Sequence, residues 1–304
     1  MRAVQFFDFG SADVLQLVEV PQPEPGEGQV RVKVVAAGIS PADYKWRTGM
    51  FREMVPLTMP HTLGYNIAGT VDAVGPGVED FVVGDRVFAM LDPVTKGGYA
   101  EYALVDAATL ARMPDNLDPQ VAATLPTPGL TGVQFIDEQV RPEPGETVLL
   151  TGAVGSVGRF ALHAIRERGA HVVAAVRASQ RDLALALGAS EAIVLGEPAP
   201  VDMQFNHVAD AVGGDDVAAL CQLLRPGGRI ITIATTPINP EGLAATPAFF
   251  AVSPDRSGLE RIGLLVADGS VQVPSPLAFP LDQAAEAHRL LEAGSLAGRL
   301  VLQM

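Results

Sequence analysis

Three glycines at fixed spacing lie in the middle of the chain, between a short apolar run and an amphipathic segment. The apolar run is 148–150, and residues 152–158 read GAVGSVG. Residues 156–168 carry apolar side chains at i, i+3 and i+4, which predicts a helix. A tight strand-to-helix turn needs residues without a bulky Cβ, and the N–H groups at the helix N-terminus hold a pyrophosphate. In this context the motif predicts a dinucleotide site. The motif residues assigned to it are Gly152, Ala153, Gly155 and Gly158.

The residue that ends the second predicted strand decides between NAD and NADP. In NAD enzymes an acidic residue about 20 positions after the glycines binds the ribose 2′-hydroxyl. Here Arg177 lies 19 residues after Gly158, and Arg181 follows it. Two guanidinium groups offer hydrogen bonds to a 2′-phosphate. The alternative is that both arginines are simply solvated, as most are. Their position favours the phosphate site, so the predicted cofactor is NADPH.

After about residue 118, strands and helices alternate. The predicted strands are 148–150, 171–176, 192–195, 208–212 and 230–234, and the predicted helices are 156–168, 180–187 and one from about 215. Residues 120–136 are predicted to form helices interrupted by Pro126 and Pro128. This alternation is typical of a parallel sheet covered on both faces. The fold class is therefore α/β, with a doubly wound Rossmann domain predicted over residues 119–255.

The first part of the chain is β-rich. Between residues 30 and 36, apolar side chains alternate with Arg31 and Lys33, the period of a strand with one buried face. Further strands are predicted at 67–74, 85–90 and 98–105, and after about residue 255 helices at 259–268 and 281–293 precede a strand at 299–302. Short strands separated by Gly and Pro turns predict a small, irregular β-barrel-like domain.

Composition excludes several classes of function. The 304 residues carry a formal net charge of −14, which disfavours binding to nucleic acid or to an anionic membrane surface. Cys221 is the only cysteine, so neither an internal disulfide nor a multi-cysteine metal site is expected. No apolar run approaches the roughly 20 residues of a spanning helix, and the N-terminus lacks the features of a signal peptide. A cytoplasmic location is the resulting expectation.

With these features established, the chain resembles the quinone oxidoreductase branch of the medium-chain dehydrogenase/reductase superfamily over nearly its full length. Sequence blocks in the family's order carry the resemblance, and the glycine motif stands among them. The other blocks are AAGISPADYK at 36–45, LGYNIAGTV at 63–71, VGPGV at 74–78, GDRV at 84–87, GGYAEY at 97–102, LTG at 130–132, AHR at 287–289 and GRLVL at 298–302.

The resemblance implies a GroES-like, β-rich catalytic domain made of residues 1–118 and 256–304, with the Rossmann domain inserted and the substrate meeting the cofactor in the cleft between them. It also implies further cofactor contacts. The residues concerned are Ser40, Thr131, Ser156, Val157, Ile233, Ala234, Thr235 and Arg299. Two positions depart from the family pattern, since Ser40 stands where Asn is usual and Asn66 where Asp is common.

Zinc ligands are missing from the positions where the resemblance would place them. Alcohol dehydrogenases of this superfamily bind catalytic zinc through Cys and His, but Ser40, Tyr65 and Asn66 occupy the equivalent positions here. Zinc prefers thiolate and imidazole, and a catalytic site usually has three protein ligands. His61 alone makes a poor metal site, and the other histidines belong to the predicted nucleotide domain or to a C-terminal helix. No metal site is therefore predicted.

Without a Lewis acid, a conjugated acceptor is easier to reduce than a simple ketone, because hydride addition leaves a delocalised charge. The predicted substrate is a quinone or an α,β-unsaturated carbonyl compound, and the protein must supply hydrogen-bond donors and a proton. Candidates lie in the polar cluster 43–47, whose Asp-Tyr-Lys string is similar to one in plant-type alkenal and enone reductases and so favours enones.

Each candidate in this cluster has a chemical role and a structural alternative. Tyr44 is assigned to donate a proton or hydrogen bond, or only to pack, and Lys45 to stabilise an enolate or reach the cofactor. Asp43 is a third candidate, whose alternative is to cap a turn and pair with Arg47. Tyr65 is a further candidate in the predicted cleft.

Two other functions stay open on the residues alone. One is an enoyl-thioester reductase of lipid or polyketide assembly, and the other is a redox-inactive NADPH-binding protein. A short-chain dehydrogenase is disfavoured, because that family carries its glycine motif near the N-terminus and uses Tyr-x-x-x-Lys. A homodimer is also expected. Residues 248–252 read AFFAV, an apolar strand predicted at the edge of the Rossmann sheet, where pairing with a second subunit is favoured. An ordinary domain-linking strand is the alternative.

Overall fold

The computed structural model describes residues 1–95, 97–294 and 298–304. They form two compact units. The first unit comprises Met1–Thr127 and Pro254–Met304, and the second unit comprises Pro128–Ser253.

The strands are numbered β1 to β16 in chain order. They are Arg2–Phe6 (β1), Gln16–Glu19 (β2), Gln29–Ile39 (β3), His61–Thr62 (β4), Asn66–Val74 (β5), Arg86–Met90 (β6), Tyr102–Asp106 (β7), Ala111–Arg112 (β8), Thr147–Thr151 (β9), His171–Val176 (β10), Glu191–Val194 (β11), Phe205–Asp210 (β12), Leu224–Thr232 (β13), Ala248–Phe249 (β14), Leu277–Pro280 (β15) and Leu300–Gln303 (β16).

The α-helices are Pro41–Arg47 (α1), Pro119–Ala122 (α2), Pro126–Gln134 (α3), Ser156–Glu167 (α4), Arg181–Ala186 (α5), Asp215–Cys221 (α6), Arg256–Ala267 (α7) and Ala284–Glu292 (α8). Single 3-10 turns cover Ala12–Val14, Ala178–Gln180 and Leu281–Gln283, and a π-helical turn, Phe135–Val140, follows α3 directly.

The first unit is built around the long strand β3. Its sheet has seven strands in the order β15-β16-β3-β5-β6-β8, with β7 also paired to β3, and a smaller sheet has the order β2-β1-β4. Val30, Val32 and Val34 are buried whereas Lys33 and Val35 are exposed, so the alternation that predicted this strand is confirmed. The C-terminal strand β16 pairs with β3, which joins the end of the chain to the N-terminal part.

The second unit is a six-stranded parallel sheet in the order β11-β10-β9-β12-β13-β14. Successive residues of β9 pack on opposite faces: Leu150 lies in a core with Ile165 of α4, and Leu149 lies in a core with Val217 of α6. A parallel strand covered on both faces must be apolar throughout, which is why 148–150 lacks alternation. The predicted doubly wound fold is therefore confirmed.

The connection between the two units differs from the prediction in detail. Residues 119–127 lie in the first unit, because α2 packs on β3 and β5. The predicted interruption at Pro128 is wrong, since α3 begins at Pro126 and contains Pro128 in its first turn. The first N–H groups of a helix have no intrahelical acceptor, so a proline there costs no hydrogen bond.

Among the described residues, none of the helices is both long enough and apolar enough to cross a lipid bilayer.

Candidate active site and cofactor site

The turn between β9 and α4 is shaped for an anion held by backbone N–H groups. Gly152 has a positive φ of 65°, and Gly155 caps α4 without contributing a side chain. A Cβ on Gly158 would lie 2.2 Å from the carbonyl oxygen of Gly152, so α4 can pack this closely only with glycine at 158. The first N–H groups of α4 have no intrahelical acceptor and lie at the positive end of the helix dipole. These residues fit the diphosphate of a dinucleotide.

Both arginines predicted to bind phosphate are exposed beside this turn. Arg177 directly follows β10, and Arg181 is the first residue of α5. The N–H of Gly152 donates to the carbonyl of Ala175 at 3.2 Å, which holds the turn against the end of β10. Neither guanidinium has an ion-pair partner within the part of the chain that the structure describes. The charges are therefore available to an external anion.

The other predicted cofactor residues in the second unit lie on α3 and after β13. Ile233 and Ala234 are half-buried in the loop that follows β13, and Thr235 is exposed. Thr131 is buried on α3, beside Gly132, where a Cβ would lie 2.6 Å from the carbonyl oxygen of Val157 on α4. The close approach of the two helices fixes Thr131 near the N-terminal turn of α4. The assignment of these residues to the cofactor stays a prediction.

Sequence reasoning missed a buried polar group at the same end of the sheet. Asp210 ends β12, and Thr151 and Thr232 end the neighbouring strands β9 and β13. All three residues are buried, and both hydroxyls bind the Asp210 carboxylate at 2.6 Å. A signal was present, because each of these apolar strands ends in a polar residue.

In the first unit, α1 carries the predicted catalytic cluster, and Asp43 holds its N-terminus. The Asp43 carboxylate accepts hydrogen bonds from the backbone N–H of Ser40 at 2.7 Å and from the Ser40 hydroxyl at 2.8 Å. It also accepts from the N–H of Gly64 at 3.1 Å, which joins α1 to the segment before β5. Burial raises the pKa of Asp43 to about 6, against these hydrogen bonds. The geometry gives Asp43 and Ser40 positioning roles, and their predicted catalytic and cofactor roles stay predictions.

Tyr65 lies beside α1 and has a buried hydroxyl group. Its ring meets that of Trp46 edge-on, with centroids 6.5 Å apart. The hydroxyl has no hydrogen-bond partner within residues 1–95, 97–294 and 298–304. Burial, with added repulsion from Asp43 and Asp92, raises the pKa of Tyr65 well above 10, so the phenol stays protonated. A buried donor without an acceptor is costly, and an acceptor from outside the chain would remove that cost.

Tyr44 and Lys45 are half-buried on the same helix. Burial lowers the pKa of Lys45 from its ordinary value. The structure therefore places three of the predicted catalytic residues on α1, and the Gly64 hydrogen bond and the Trp46 contact bring the fourth, Tyr65, beside it. Their catalytic roles stay predictions.

Buried charged and polar groups join α1 to other parts of the first unit, notably to α8. Arg47 is completely buried and forms an ion pair with Glu292 of α8, so the alternative in which Arg47 pairs with Asp43 is wrong. The Tyr99 hydroxyl lies 3.1 Å from Nε2 of His288, and burial with added repulsion from Asp43 raises the pKa of Tyr99 well above 10. Burial lowers the pKa of His288 to about 3, with a further contribution from Arg47. The histidine is thus neutral and packed inside the first unit.

Asn66 and Arg299 hold the segment that leads out of the first unit. The Asn66 side-chain oxygen accepts from the N–H of Thr127 at 2.6 Å, and the Arg299 guanidinium donates to the carbonyl of Thr124 at 3.1 Å. Burial lowers the pKa of Arg299 to about 10, against the attraction of Asp43. The predicted contact between Arg299 and the cofactor stays a prediction.

The structure describes no cluster of three or more His, Cys, Asp or Glu side chains that could bind a metal ion. His207 is hydrogen-bonded to Glu146 at 3.1 Å, and His163 faces Glu167 on α4. Cys221 is buried, as predicted, and burial together with repulsion from Asp210 raises its pKa to about 12. The thiol is therefore protonated at neutral pH and is not a nucleophile.

A groove of about 850 Å³ opens elsewhere on the first unit, with Gln5, Thr62 and Tyr102 among its lining residues. Gln5 and Thr62 are already hydrogen-bonded to each other at 3.1 Å. The residues predicted to be catalytic do not line it, so the size of this groove gives no reason to move the candidate site.

The opposed pKa shifts of Asp43 and His288 predict how the free energy of unfolding depends on pH. Between about pH 4 and pH 6 the folded state keeps the Asp43 proton that the unfolded chain has lost, so the free energy of unfolding falls as pH rises. In the same window His288 is protonated in the unfolded chain but neutral in the folded state. Its contribution to the free energy of unfolding therefore rises with pH. Across the roughly two pH units of this window each effect amounts to about 3 kcal/mol, at about 1.36 kcal/mol per unit.

Single variants separate the two effects. Relative to the wild type, Asp43→Asn makes the free energy of unfolding rise more steeply with pH, and His288→Gln makes it fall. Urea unfolding of the three proteins at about pH 4 and about pH 6 measures the slopes. Equal slopes for the two variants would contradict the assignment.

Comparisons with known proteins agree with this architecture. A family model described as alcohol dehydrogenase GroES-like domain matches residues 26–115, and one described as zinc-binding dehydrogenase matches residues 187–302. The quinone oxidoreductase of Rattus norvegicus is 31% identical to this chain, over 99% of the chain and 97% of the rat protein. The NADPH-dependent alkenal/one oxidoreductase of Arabidopsis thaliana is 32% identical, over 99% of the chain and 79% of that protein.

The crystal structure of Escherichia coli quinone oxidoreductase complexed with NADPH superposes with a TM-score of 0.87. The two chains are 25% identical and cover each other completely, at 100% of each. Together with the full-length match to the rat enzyme, this likeness shows the family. The chain belongs to the quinone oxidoreductase branch of the medium-chain dehydrogenase/reductase superfamily.

Proposed function

We propose that this protein is an NADPH-dependent oxidoreductase that reduces a quinone or an α,β-unsaturated carbonyl compound without zinc. One observation carries the proposal: the glycine turn before α4 lies against the end of β10, where Arg177 stands in place of a carboxylate. A carboxylate there would select NAD through the ribose hydroxyl, whereas an arginine suits the 2′-phosphate of NADP. The membership of the chain in the quinone oxidoreductase branch supports the reaction type.

The second unit supplies the groups that hold the cofactor. The N–H groups of the first turn of α4 bind the diphosphate, and the glycines allow its close approach. Arg177 and Arg181 bind the 2′-phosphate with charge-assisted hydrogen bonds. NADPH, when bound, supplies a hydride to the substrate. The names of the compared proteins support this choice, since the Arabidopsis relative is called NADPH-dependent and the E. coli structure contains NADPH.

The first unit supplies hydrogen-bond donors for the substrate oxygen. Hydride addition to a quinone or to the β-carbon of an enone places negative charge on that oxygen, and a fixed donor stabilises it. Tyr65 is suited to this role, because its buried hydroxyl is protonated and has no acceptor in the described residues. The Lys45 ammonium adds a positive charge, and Tyr44 is a second source of a proton. Asp43 acts by positioning α1 rather than by touching the substrate.

The absence of zinc from the proposed reaction follows from the residues at the ligand positions. A hydroxyl, a phenol and an amide, from Ser40, Tyr65 and Asn66, replace the Cys and His ligands of alcohol dehydrogenases. Two of these groups already have other partners, since Ser40 binds Asp43 and Asn66 binds Thr127. Neutral oxygen donors of this kind are poor zinc ligands.

A homodimer is part of the proposal. The edge strand of the second unit's sheet is β14, and Phe249 on it is 62% exposed. An unpaired edge with a large exposed aromatic side chain favours pairing with a second copy. The wild type is expected to have the mass of two chains in solution, and Phe249→Glu the mass of one. A wild type with the mass of one chain would refute the dimer.

The cytoplasmic location stays a prediction.

A panel of acceptors tests the proposed function. Oxidation of NADPH and of NADH is followed with a benzoquinone, a vinyl ketone, an alkenal and an enoyl thioester. Turnover of the quinone, ketone or alkenal with NADPH is expected. Activity confined to the thioester would instead identify an enoyl-thioester reductase, and no activity with any acceptor would leave a redox-inactive binding protein.

In the same assay, Arg177→Glu tests the cofactor assignment. The substitution replaces a phosphate-binding charge with a repelling one, so the preference for NADPH over NADH should fall about a hundredfold. Arg225→Glu makes the same charge change near the amino end of β13, at an exposed position, and should leave the preference unchanged. Equal preference in both variants would rule out a phosphate site at Arg177.

Tyr65→Phe tests the substrate donor. Loss of one donor to a developing oxyanion should lower kcat by about tenfold to a hundredfold, while the Kd for NADPH stays within about twofold. Tyr102→Phe removes a phenol from β7, where the ring lies under Arg31, and should leave kcat unchanged. If Tyr65→Phe keeps full kcat, this hydroxyl is not the donor.

A further inference from the structure

We propose that Asp210 is a positioning residue that fixes three loops at one edge of the second unit's sheet, two of which carry residues assigned to the cofactor. These are the turn after β9, the loop 211–214 after β12 and the loop 233–236 after β13. The inference rests on the proposed function, because the loops are relevant to catalysis only if they hold NADPH. It concerns a residue that contacts the loops rather than the cofactor.

The Asp210 carboxylate is completely buried and accepts four hydrogen bonds. One oxygen, Oδ1, accepts from the Thr151 hydroxyl at 2.6 Å and from the N–H groups of Val212 at 2.9 Å and Gly213 at 3.0 Å. The other oxygen, Oδ2, accepts from the Thr232 hydroxyl at 2.6 Å. Asp210 forms no ion pair with any Lys, Arg or His in the described ranges. These donors are therefore what stabilises the buried charge.

Each threonine extends the network into a loop. The Thr151 hydroxyl accepts from the N–H of Ala211 at 2.8 Å, and the Thr232 hydroxyl accepts from the N–H of Ala234 at 3.0 Å. A hydroxyl has one hydrogen, and the carboxylate takes it in both cases. The threonine oxygens are thereby left as acceptors for the loops. The Asp210 carboxylate thus sets the direction of every hydrogen bond in the network.

The three loops are also in direct contact with one another. A Cβ on Gly213 would lie 2.1 Å from the carbonyl oxygen of Thr236, and one on Gly152 would lie 3.5 Å from the Cβ of Ala211. The N–H of Gly214 donates to the carbonyl of Pro237 at 3.3 Å. A shift in one loop therefore displaces the others, and the predicted cofactor residues Ile233, Ala234 and Thr235 belong to this assembly.

Asp210 ends a strand in the middle of the sheet, so its hydrogen bonds extend to loops on both sides. β12 lies between β9 and β13, and the order β11-β10-β9-β12-β13-β14 reverses direction between β9 and β12. The loops on the two sides of such a switch point diverge, which opens a crevice for a ligand. The backbone ladders already hold the strands together. Asp210 adds hydrogen bonds beyond the strand ends, where no ladder exists.

Asp210→Asn should disturb the loops selectively. The amide keeps the shape of the carboxylate but offers one acceptor and one donor group. With the amide oxygen toward Thr151 and the two backbone N–H groups, the amide nitrogen meets the Thr232 hydroxyl and competes with the N–H of Ala234. The disturbance should therefore concentrate in loop 233–236. Thr232→Val removes the same link with a smaller change and serves if Asp210→Asn folds poorly.

The experiment compares Asp210→Asn and Thr232→Val with Val208→Ala, which removes buried volume from β12 without touching the network. Amide hydrogen exchange is measured on the free proteins, and the Kd for NADPH is measured by titration. Loop 233–236 should exchange about tenfold faster in the two network variants than in Val208→Ala, and their Kd should rise about tenfold. The double variant Asp210→Asn, Thr232→Val should be no worse than the worse single variant.

The outcomes separate this inference from the proposed function. Exchange and Kd that change no more than in Val208→Ala would overturn the positioning role, since Asp210 would then contribute only to stability. A wild type that does not bind NADPH would refute the proposed function, and the exchange data would still decide whether Asp210 fixes the loops.

Discussion

A parallel sheet brings the carboxyl ends of its strands to one edge, and the loops that leave this edge carry N–H groups that no strand satisfies. In the second unit this constraint is met in two ways. At Asp210 a buried carboxylate and two threonines accept the hydrogen bonds of the loops. At α4 the N–H groups are left for a ligand, and glycines bring the backbone close enough to present them. The proposed cofactor site depends on this difference, because one set of donors is satisfied internally and the other is not.

The first unit meets the same constraint with buried ionisable groups. Asp43 and Arg47 are the buried groups of α1 itself, and Tyr99 and His288 are buried in the same unit. Each of the four is hydrogen-bonded or ion-paired to a partner on another element or at the helix terminus. Such groups are expensive to bury, and removing one partner leaves an uncompensated charge. Their arrangement fixes the helix that carries Tyr44 and Lys45. In the proposed reaction, the contribution of this unit is therefore the precise placement of ordinary side chains.

The sequence was informative where local pattern and chain position determine structure. The alternation along residues 30–36, the apolar run 148–150 and the glycine spacing at 152–158 each placed an element correctly, because each depends on neighbours in the chain. The partners of Arg47 and Asp43 could not be predicted, because Glu292 lies 245 residues from Arg47 and Gly64 lies 21 from Asp43. Thr151, Asp210 and Thr232 were missed for the same reason, since only the sheet order brings them together.

The net charge of the protein has the same sign as that of its proposed cofactor, and the range of electrostatic forces explains why the two are compatible. A net charge of −14 repels an anionic dinucleotide at long range, but salt screens charges over about 8 Å at physiological ionic strength. Only the groups near the bound phosphates then matter. The first turn of α4 contains no acidic residue, and Arg177 and Arg181 are exposed without an internal counter-ion in the described residues. Arg31 and Arg256, by contrast, are already paired with carboxylates of their own unit. The positive charge of Arg177 and Arg181 therefore outweighs the negative net charge of the protein at this sheet edge. The proposed binding of NADPH should accordingly weaken as the salt concentration rises.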